Sequence, residues 1–269
     1  MPEPVKIFDP ESRSGPMRIA CFMSGSGTNV VKIIEKQLSN ANRKYEVVLV
    51  FTDVEDETKC NAKRIADKFG IPFTAHDIKK FYDERGHPSK SDMSLRPCFD
   101  KESVEMIDPY DIDLVALGGY MSVLTRPIIE QYDGKVINVH PADLSIAQEN
   151  RRKFVGLHAV RDAILAGERQ ICSTTHVVRE KVDYGEILMI SKPVAVSLPP
   201  GSTLDELRKA ENRKLLGNIV EENQKRLKEH GDWVILPKTL ELIGEGLYAL
   251  DGRGNVYLNN KLLPTPLRL

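Results

Sequence analysis

Short apolar segments alternate with helix-like segments through the first half of the chain, and this alternation constrains the fold more than any other feature. The apolar segments cover residues 17–23, 45–52, 113–117 and 135–139, and amphipathic or polar stretches separate them. Strands that alternate with helices at this spacing pair in parallel through right-handed crossovers. The sequence therefore predicts an α/β fold: a Rossmann-like, mostly parallel twisted sheet flanked by helices.

The second half of the chain follows a different pattern. Strand-like runs at 173–179 and 187–196 flank a polar turn, which predicts a late antiparallel or mixed portion of the sheet. Residues 203–206 have the spelling of a helix capping box, and we expect one helix from there to about residue 228. A glycine-rich turn at 251–254 between two short apolar runs predicts a C-terminal β hairpin.

These patterns suggest a division of the chain into three parts. Residues 1–16 show no periodicity and are expected to form a flexible N-terminal arm. Residues 17–232 would form the catalytic domain, and residues 233–269 a C-terminal β meander packed on that same domain. Two polar stretches, 83–97 and 145–153, are longer than ordinary connections and are expected to be lids or insertions.

Composition excludes several classes of function. With 38 Lys and Arg against 39 Asp and Glu, the chain lacks the basic excess of a general nucleic-acid binder. We find no apolar run of the roughly 20 residues that span a bilayer, and no signal-peptide stretch. The four cysteines form no Cys-x-x-Cys pair, which indicates a reduced compartment and no metal site. We therefore expect a soluble cytoplasmic protein that acts without nucleic acid, membrane or metal.

A glycine loop follows the first apolar segment and precedes a helix. Gly25, Ser26, Gly27, Thr28 and Asn29 would turn the chain tightly and direct free N–H groups at an anion such as phosphate. The local sequence fits a dinucleotide equally well, because Asp53 follows the second predicted strand, where an acid could bind ribose. A bare strand-to-helix turn is the third possibility, and this loop alone does not separate the three.

Polar side chains end the strand at 135–139. Asn138 and His140 are two residues apart and so project to one face, at the carboxyl end where open α/β sheets bind ligands. Both can donate a hydrogen bond to an oxyanion, His140 when protonated. Asp183, in a later turn, could orient His140 if the two meet in space, although a local turn role is the simpler local interpretation. His158 and His176 are weaker candidates.

The predicted helix after residue 203 carries an acid on its apolar stripe. Leu207, Glu211 and Leu215 follow helical spacing, so Glu211 would face inward, where an acid needs a partner. It could pair with a substrate amine, and neighbouring Arg208 could reach a phosphate. A salt bridge at the edge of the stripe is the alternative.

With these residues established, the sequence resembles the phosphoribosylglycinamide formyltransferase family of folate-dependent enzymes. The resemblance covers nearly all of residues 17–264, and the order and spacing of the motifs carry it. The matching segments are MSGSGTN (23–29), FDKESVEMI (99–107), GGYMSVL (118–124), VINVHPADL (136–144), GLHAVRDAI (156–164), TTHVVREKVDYGEIL (174–188) and VYLNNKLLP (256–264).

The resemblance implies a role for each matching residue. Asn138, His140 and Asp183 match the family's catalytic trio, and Glu211 matches an acid that contacts the glycinamide substrate. The segment bordering the folate comprises Met121, Ser122, Val123 and Leu124, and the loop holding the ribose phosphate contains Gly27, Thr28 and Asn29. By implication 10-formyltetrahydrofolate donates a formyl group to glycinamide ribonucleotide in purine biosynthesis, and a homodimer is possible.

Departures from the family pattern border these sites and bear on the acceptor. A longer charged loop runs from Ala142 to Gly156, and Ser122 stands where many members have an arginine, a role that Arg126 could fill. Tyr184 replaces a common glycine. The alternatives are therefore a related formyltransferase acting on an amino sugar or on water, and, more distantly, an NAD(P)-binding oxidoreductase or a non-catalytic nucleotide-binding regulator.

Overall fold

The computed structural model describes residues 3–87 and 89–269. Residues 1 and 2 of the predicted arm, and residue 88 of the predicted 83–97 insertion, lie outside the described residues. The strands are β1 (Val5–Lys6), β2 (Met17–Met23), β3 (Tyr45–Thr52), β4 (Phe73–Ala75), β5 (Leu114–Leu117), β6 (Val136–His140), β7 (Ala147–Gln148), β8 (Arg151–Arg152), β9 (Gln170–Ile171), β10 (Thr174–Val177), β11 (Ile187–Ile190), β12 (Val194–Ala195), β13 (Tyr248–Leu250), β14 (Val256–Leu258), β15 (Lys261–Leu262) and β16 (Leu267–Arg268). The helices are α1 (Thr28–Leu38), α2 (Ala62–Phe69), α3 (Ile78–Glu84), α4 (Arg96–Ile107), α5 (Arg126–Gln131), α6 (Ala159–Leu165), α7 (Leu204–Leu207), α8 (Arg213–Leu227) and α9 (Trp233–Gly244).

An eight-stranded sheet runs through the centre of the molecule in the order β16-β11-β10-β6-β5-β2-β3-β4. Strands β2 to β6 pair in parallel, whereas β10 is antiparallel to both of its neighbours, β6 and β11. A second, antiparallel sheet is formed by β1, β13, β14 and β15. The predicted fold class is confirmed, including the late antiparallel portion and the C-terminal hairpin.

The central strands are apolar on both faces because each face is covered. In β2, Ile19 and Cys21 belong to a core shared with α1, α2 and α9, whereas Ala20 and Phe22 belong to the opposite core with α4 and α5. All four side chains are fully buried. Strands covered on both faces read as continuous apolar runs rather than as alternating ones, which is why the sequence pattern was informative.

Three expectations about the ends of the elements are wrong. The N-terminal arm is not loose over its whole length, because β1 pairs with β13 and the adjoining Ile7 and Phe8 are buried in the core. The single helix expected from residue 203 is broken into α7, a 3-10 turn at Ala210–Asn212, and α8. The C-terminal part begins with α9 and reaches its β strands only at residue 248.

Both polar stretches are built into the fold. The 83–97 stretch runs from the end of α3 to the start of α4, where the Tyr82 hydroxyl donates to the Asp92 carbonyl at 2.6 Å. The 145–153 stretch contains the small hairpin of β7 and β8. Within the described ranges, none of the helices is long and apolar enough to cross a membrane.

Candidate active site

Strands β2, β5 and β6 end at one edge of the sheet, and the predicted site residues follow them there. The Gly118 amide donates to the Phe22 carbonyl at 2.8 Å, and the Ser24 amide donates to the Gly119 carbonyl at 3.1 Å. These two bonds tie the glycine loop after β2 to the segment after β5. The crevice outside the carboxyl ends of parallel strands is where open α/β sheets bind ligands.

The glycine loop ends in the first turn of α1. Gly27 is the residue before the helix and has φ 67°, a left-handed conformation that favours glycine. A Cβ at this position would lie 2.4 Å from both the Met23 Cε and the Ile65 Cδ1 atoms, so a side chain is also excluded by space. The first N–H groups of a helix have no partner within the helix. The loop therefore has the conformation that an anion-binding helix start requires.

The structure places Asp183 next to His140, as the predicted catalytic trio of Asn138, His140 and Asp183 requires. His140 Nδ1 lies 3.5 Å from Asp183 Oδ2, and both side chains are almost fully buried. Asn138, two residues before His140 on β6, contacts the ring of His176, and that ring lies next to the same carboxylate. Asp183 itself has φ 59°, so a non-glycine residue is held in the left-handed region, which is typical of constrained functional positions.

His176 is the fourth member of this cluster, and sequence reasoning gave it little weight. Strand β10 places it directly opposite Asn138, whose Nδ2 atom donates to His176 Nε2 at 3.2 Å. His176 Nε2 also lies 3.5 Å from Asp183 Oδ1. Its Nδ1 atom donates to the Val177 carbonyl at 2.8 Å, which leaves Nε2 as the acceptor. The antiparallel register of β6 and β10 is the signal that would have identified it.

The protonation of the cluster follows from burial and charge. Burial lowers the pKa of His140, against the opposing influence of the Asp183 charge and the Phe154 carbonyl. Burial alone would raise the pKa of Asp183, but the neighbouring His176 and His140 and the hydrogen bond from the Gly156 amide lower it to about 2. Asp183 is therefore ionised near neutral pH, while His140 favours its neutral form.

The end of the longer loop contacts two members of the trio. His140 Nε2 donates to the Phe154 carbonyl at 2.9 Å, so this nitrogen carries the proton of the neutral ring. The Gly156 amide donates to Asp183 Oδ2 at 2.7 Å. The loop that departs most from the family pattern thus sets the orientation of both His140 and Asp183.

The buried acid beside the glycine loop is Asp232 and not Glu211. Glu211 lies exposed in the 3-10 turn, so the expectation that it faces inward is wrong. Asp232, in a π-helical turn between α8 and α9, accepts from Asn29 Nδ2 at 3.3 Å and from Ser173 Oγ at 2.5 Å. Burial raises its pKa. Among the described residues, Asn29 Oδ1 is a buried polar atom with no hydrogen-bond partner.

The predicted folate-bordering segment has an exposed apolar rim and a buried polar anchor. Met121 and Val123 are exposed by 58% and 39%, whereas Leu124 is buried. Asp53 accepts from Ser122 Oγ and from Ser24 Oγ, each at 2.5 Å. Both oxygens of Asp53 are thereby engaged, which counts against the ribose-binding role of the oxidoreductase alternative.

Two arginines are engaged elsewhere. Arg208 is exposed, and its two hydrogen bonds run to Asp205 and to the Leu165 carbonyl rather than to the glycine loop. Arg126 pairs with Glu130 on the surface of α5. Arg96 does contact the 121–124 segment, by donating to the Val123 carbonyl at 3.0 Å.

In the part of the chain that the structure describes, no three His, Cys, Asp or Glu residues are placed to hold a metal ion.

Comparison with known proteins gives the family of this fold and site. A family model described as formyl transferase matches residues 17–220. The chain belongs to the formyl transferase family. It is 26% identical over 243 residues to the trifunctional purine biosynthetic protein adenosine-3 of Gallus gallus, a match that covers 89% of this chain but only 20% of that protein. The chain therefore spans about a fifth of the length of this relative.

Two shorter relatives match over nearly their whole length. The phosphoribosylglycinamide formyltransferase of Haemophilus influenzae is 26% identical over 248 residues, which cover 92% of this chain and 96% of that protein. The crystal structure of glycinamide ribonucleotide transformylase 1 from Symbiobacterium toebii superposes with a TM-score of 0.63 at 26% identity. That superposition covers 91% of this chain and 95% of the other.

Proposed function

We propose that this protein transfers the formyl group of 10-formyltetrahydrofolate to the amine of glycinamide ribonucleotide. The observation that carries the proposal is the cluster of Asn138, His140 and Asp183 at the carboxyl edge of the sheet. The chain that holds this cluster is similar over 92% of its length to a phosphoribosylglycinamide formyltransferase. The amide, the imidazole and the carboxylate are the groups that acyl transfer to an amine requires.

The two substrates approach the cluster from two sides. We place the ribose phosphate of the acceptor at the glycine loop, Gly25 to Asn29, where the first turn of α1 offers unpaired N–H groups. We place the folate against Met121 to Leu124, whose exposed Met121 and Val123 offer an apolar surface to an aromatic ring. Asp232 supports the glycine loop from inside the fold, because it is a buried acid that accepts from Asn29 Nδ2.

The geometry supports a reaction in which every proton is accounted for. The acceptor amine forms a C–N bond to the formyl carbon, and the carbonyl electron pair moves to oxygen, where the Asn138 amide donates to it. Neutral His140 takes the amine proton, and ionised Asp183, 3.5 Å from the Nδ1 atom, stabilises the charged ring that results. As the bond from the formyl carbon to the folate nitrogen breaks, His140 returns that proton to the leaving nitrogen.

An acceptor panel tests the proposal. Purified protein is given 10-formyltetrahydrofolate with glycinamide ribonucleotide, with an amino sugar phosphate, or with water alone, and the formylated product is identified by mass. We expect formyl glycinamide ribonucleotide as the main product. Turnover with the amino sugar or with water, and none with glycinamide ribonucleotide, would instead assign the related alternative that the longer loop suggests.

A further inference from the structure

The small hairpin of β7 and β8 carries an arginine into the turn that bears Asp183. Arg152, on β8, is half-buried, and the two terminal nitrogens of its guanidinium donate to the Asp183 carbonyl and, at 2.9 Å, to the Gly185 carbonyl. The same guanidinium lies 5.5 Å from the centre of the Tyr184 ring. The Arg152 side chain therefore contacts three consecutive residues of the turn, 183–185.

These contacts stabilise a turn whose backbone conformation is unfavourable without them. Asp183 has φ 59°, a conformation that a non-glycine residue keeps only when its surroundings enforce it. Gly185 packs so closely on β10 that a Cβ there would lie 1.8 Å from the Val177 carbonyl oxygen. The turn thus packs against β10 on one side, and on the other side it accepts two hydrogen bonds from the Arg152 guanidinium. A planar guanidinium can serve two carbonyls at once, whereas a lysine ammonium acts as a point donor.

The loop that carries Arg152 is itself firmly attached. Phe154, two residues further on, is buried among the residues of α6 and α8. At the other end of the loop, Arg268 of β16 donates at 2.9 Å to both Asp143 Oδ2 and Ser145 Oγ. A loop anchored at both ends can hold the Asp183 turn at a fixed position relative to His140.

We propose that Arg152 is a positioning residue for formyl transfer, which holds Asp183 against His140 and His176 through the backbone of the 183–185 turn. The proposal rests on the function proposed above. The two hydrogen bonds of the Arg152 guanidinium go to the backbone of this turn, so we expect its effect to pass through Asp183. Removing it is expected to misplace the carboxylate and so to lower kcat about 10- to 100-fold, with the KM values of both substrates little changed.

The charge of Arg152 supplies a readout that a purely structural role would not move. The charged or titratable groups that face His140 are Asp183, His176 and Arg152, and of these the Arg152 charge helps to lower the pKa of His140. Loss of that charge alone would raise the pKa of His140, whereas displacement of the Asp183 carboxylate, the stronger influence, would lower it. A positioning role therefore predicts a net downward shift of the His140 titration and of the pH–rate profile.

The test compares three variants by steady-state kinetics and by NMR titration of the His140 ring. In Arg152→Met we expect the fall in kcat and a downward shift of the His140 titration. Arg152→Lys keeps the charge but cannot donate to both carbonyls, so we expect it to recover only part of kcat and to titrate below the native protein. Arg151→Met, an exposed neighbour on the same hairpin, is the matched control and should behave as the native protein.

Three results would overturn the role of Arg152. They are kinetics of Arg152→Met equal to those of Arg151→Met, a loss of thermal stability with the His140 titration unmoved, or an upward shift of that titration that Arg152→Lys reverses. The NMR titration needs no substrate, so it separates this proposal from the proposed function. If the native protein formylates no glycinamide ribonucleotide, the proposed function fails, and the titration still decides whether Arg152 acts on the Asp183 and His140 pair.

Discussion

Asp232 offers a sharp test of how the glycine loop is supported, because one substitution of this residue should preserve the stability of the fold and another should lower it. In Asp232→Asn the new side chain can still accept from Ser173 Oγ, and its amide N–H can donate to Asn29 if the Asn29 amide turns end for end. Asn29 Oδ1 has no partner among the described residues, so it is available for this exchange. Both hydrogen bonds are kept, and we expect a free energy of unfolding within about 1 kcal/mol of the native value.

In Asp232→Ala both donors lose their acceptor inside the core. A buried donor left without a partner costs about 1–3 kcal/mol, so the two together should lower the free energy of unfolding by about 2–4 kcal/mol. Urea unfolding of the native protein and both variants measures the difference. The reasoning is refuted if the Asn variant is destabilised as much as the Ala variant.

The two Asp232 variants also test substrate binding, because Asp232→Asn should change the KM for the acceptor although it keeps the free energy of unfolding close to the native value. Turning the Asn29 amide places an N–H donor where the native residue presents Oδ1, at a loop that we assign to the acceptor. We expect the KM for glycinamide ribonucleotide to rise about tenfold in Asp232→Asn, equivalent to about 1.4 kcal/mol, with the KM for the folate unchanged. An unchanged acceptor KM would show that Asn29 does not contact the acceptor.

The other predictions concern the support of the fold and of the loop. Burial raises the pKa of Asp100 to about 6 although it accepts from the Thr125 amide and hydroxyl, so the folded protein binds this proton more tightly than the unfolded chain. Stability from this group is therefore full at low pH and falls as pH rises from about 4 to about 6, by up to ~3 kcal/mol. In Asp100→Asn this fall, measured by urea unfolding at pH 4 and pH 7, should disappear, and an equal fall in both proteins would contradict the assignment. Gly27→Ala should destabilise the protein by about 1–3 kcal/mol and raise the acceptor KM, because its Cβ would collide with Met23 and Ile65; a native melting temperature would contradict this.

The fold could be predicted where local pattern and tertiary environment agree. Strands β2 and β3 are covered on both faces, so their residues form unbroken apolar runs that local sequence reveals. The break between α7 and α8 had no such signal. Lys209 takes an extended conformation there, and the Asn212 side chain satisfies the Glu206 carbonyl in place of a helical bond. Neither glycine nor proline marks the break.

The candidate site was harder to predict because its parts are distant along the chain. Asn138 and His140 are recognisable from their position at a strand end, but the role of His176 depends on the register between β6 and β10. Asp232 lies in a polar stretch whose inward side is set only by the packing of the π-helical turn on Ser173. Glu211 had the better local pattern and proved to be exposed. The functional assignments of these residues stay predictions.

The most direct measurement is the rate of formyl transfer from 10-formyltetrahydrofolate to glycinamide ribonucleotide by Asn138→Ala and His140→Ala, each compared with the native protein at saturating substrate. If Asn138 stabilises the oxyanion and His140 carries the proton, each variant should turn over roughly 10²- to 10³-fold more slowly while remaining folded by circular dichroism. Folded variants that both turn over at close to the native rate would contradict the account.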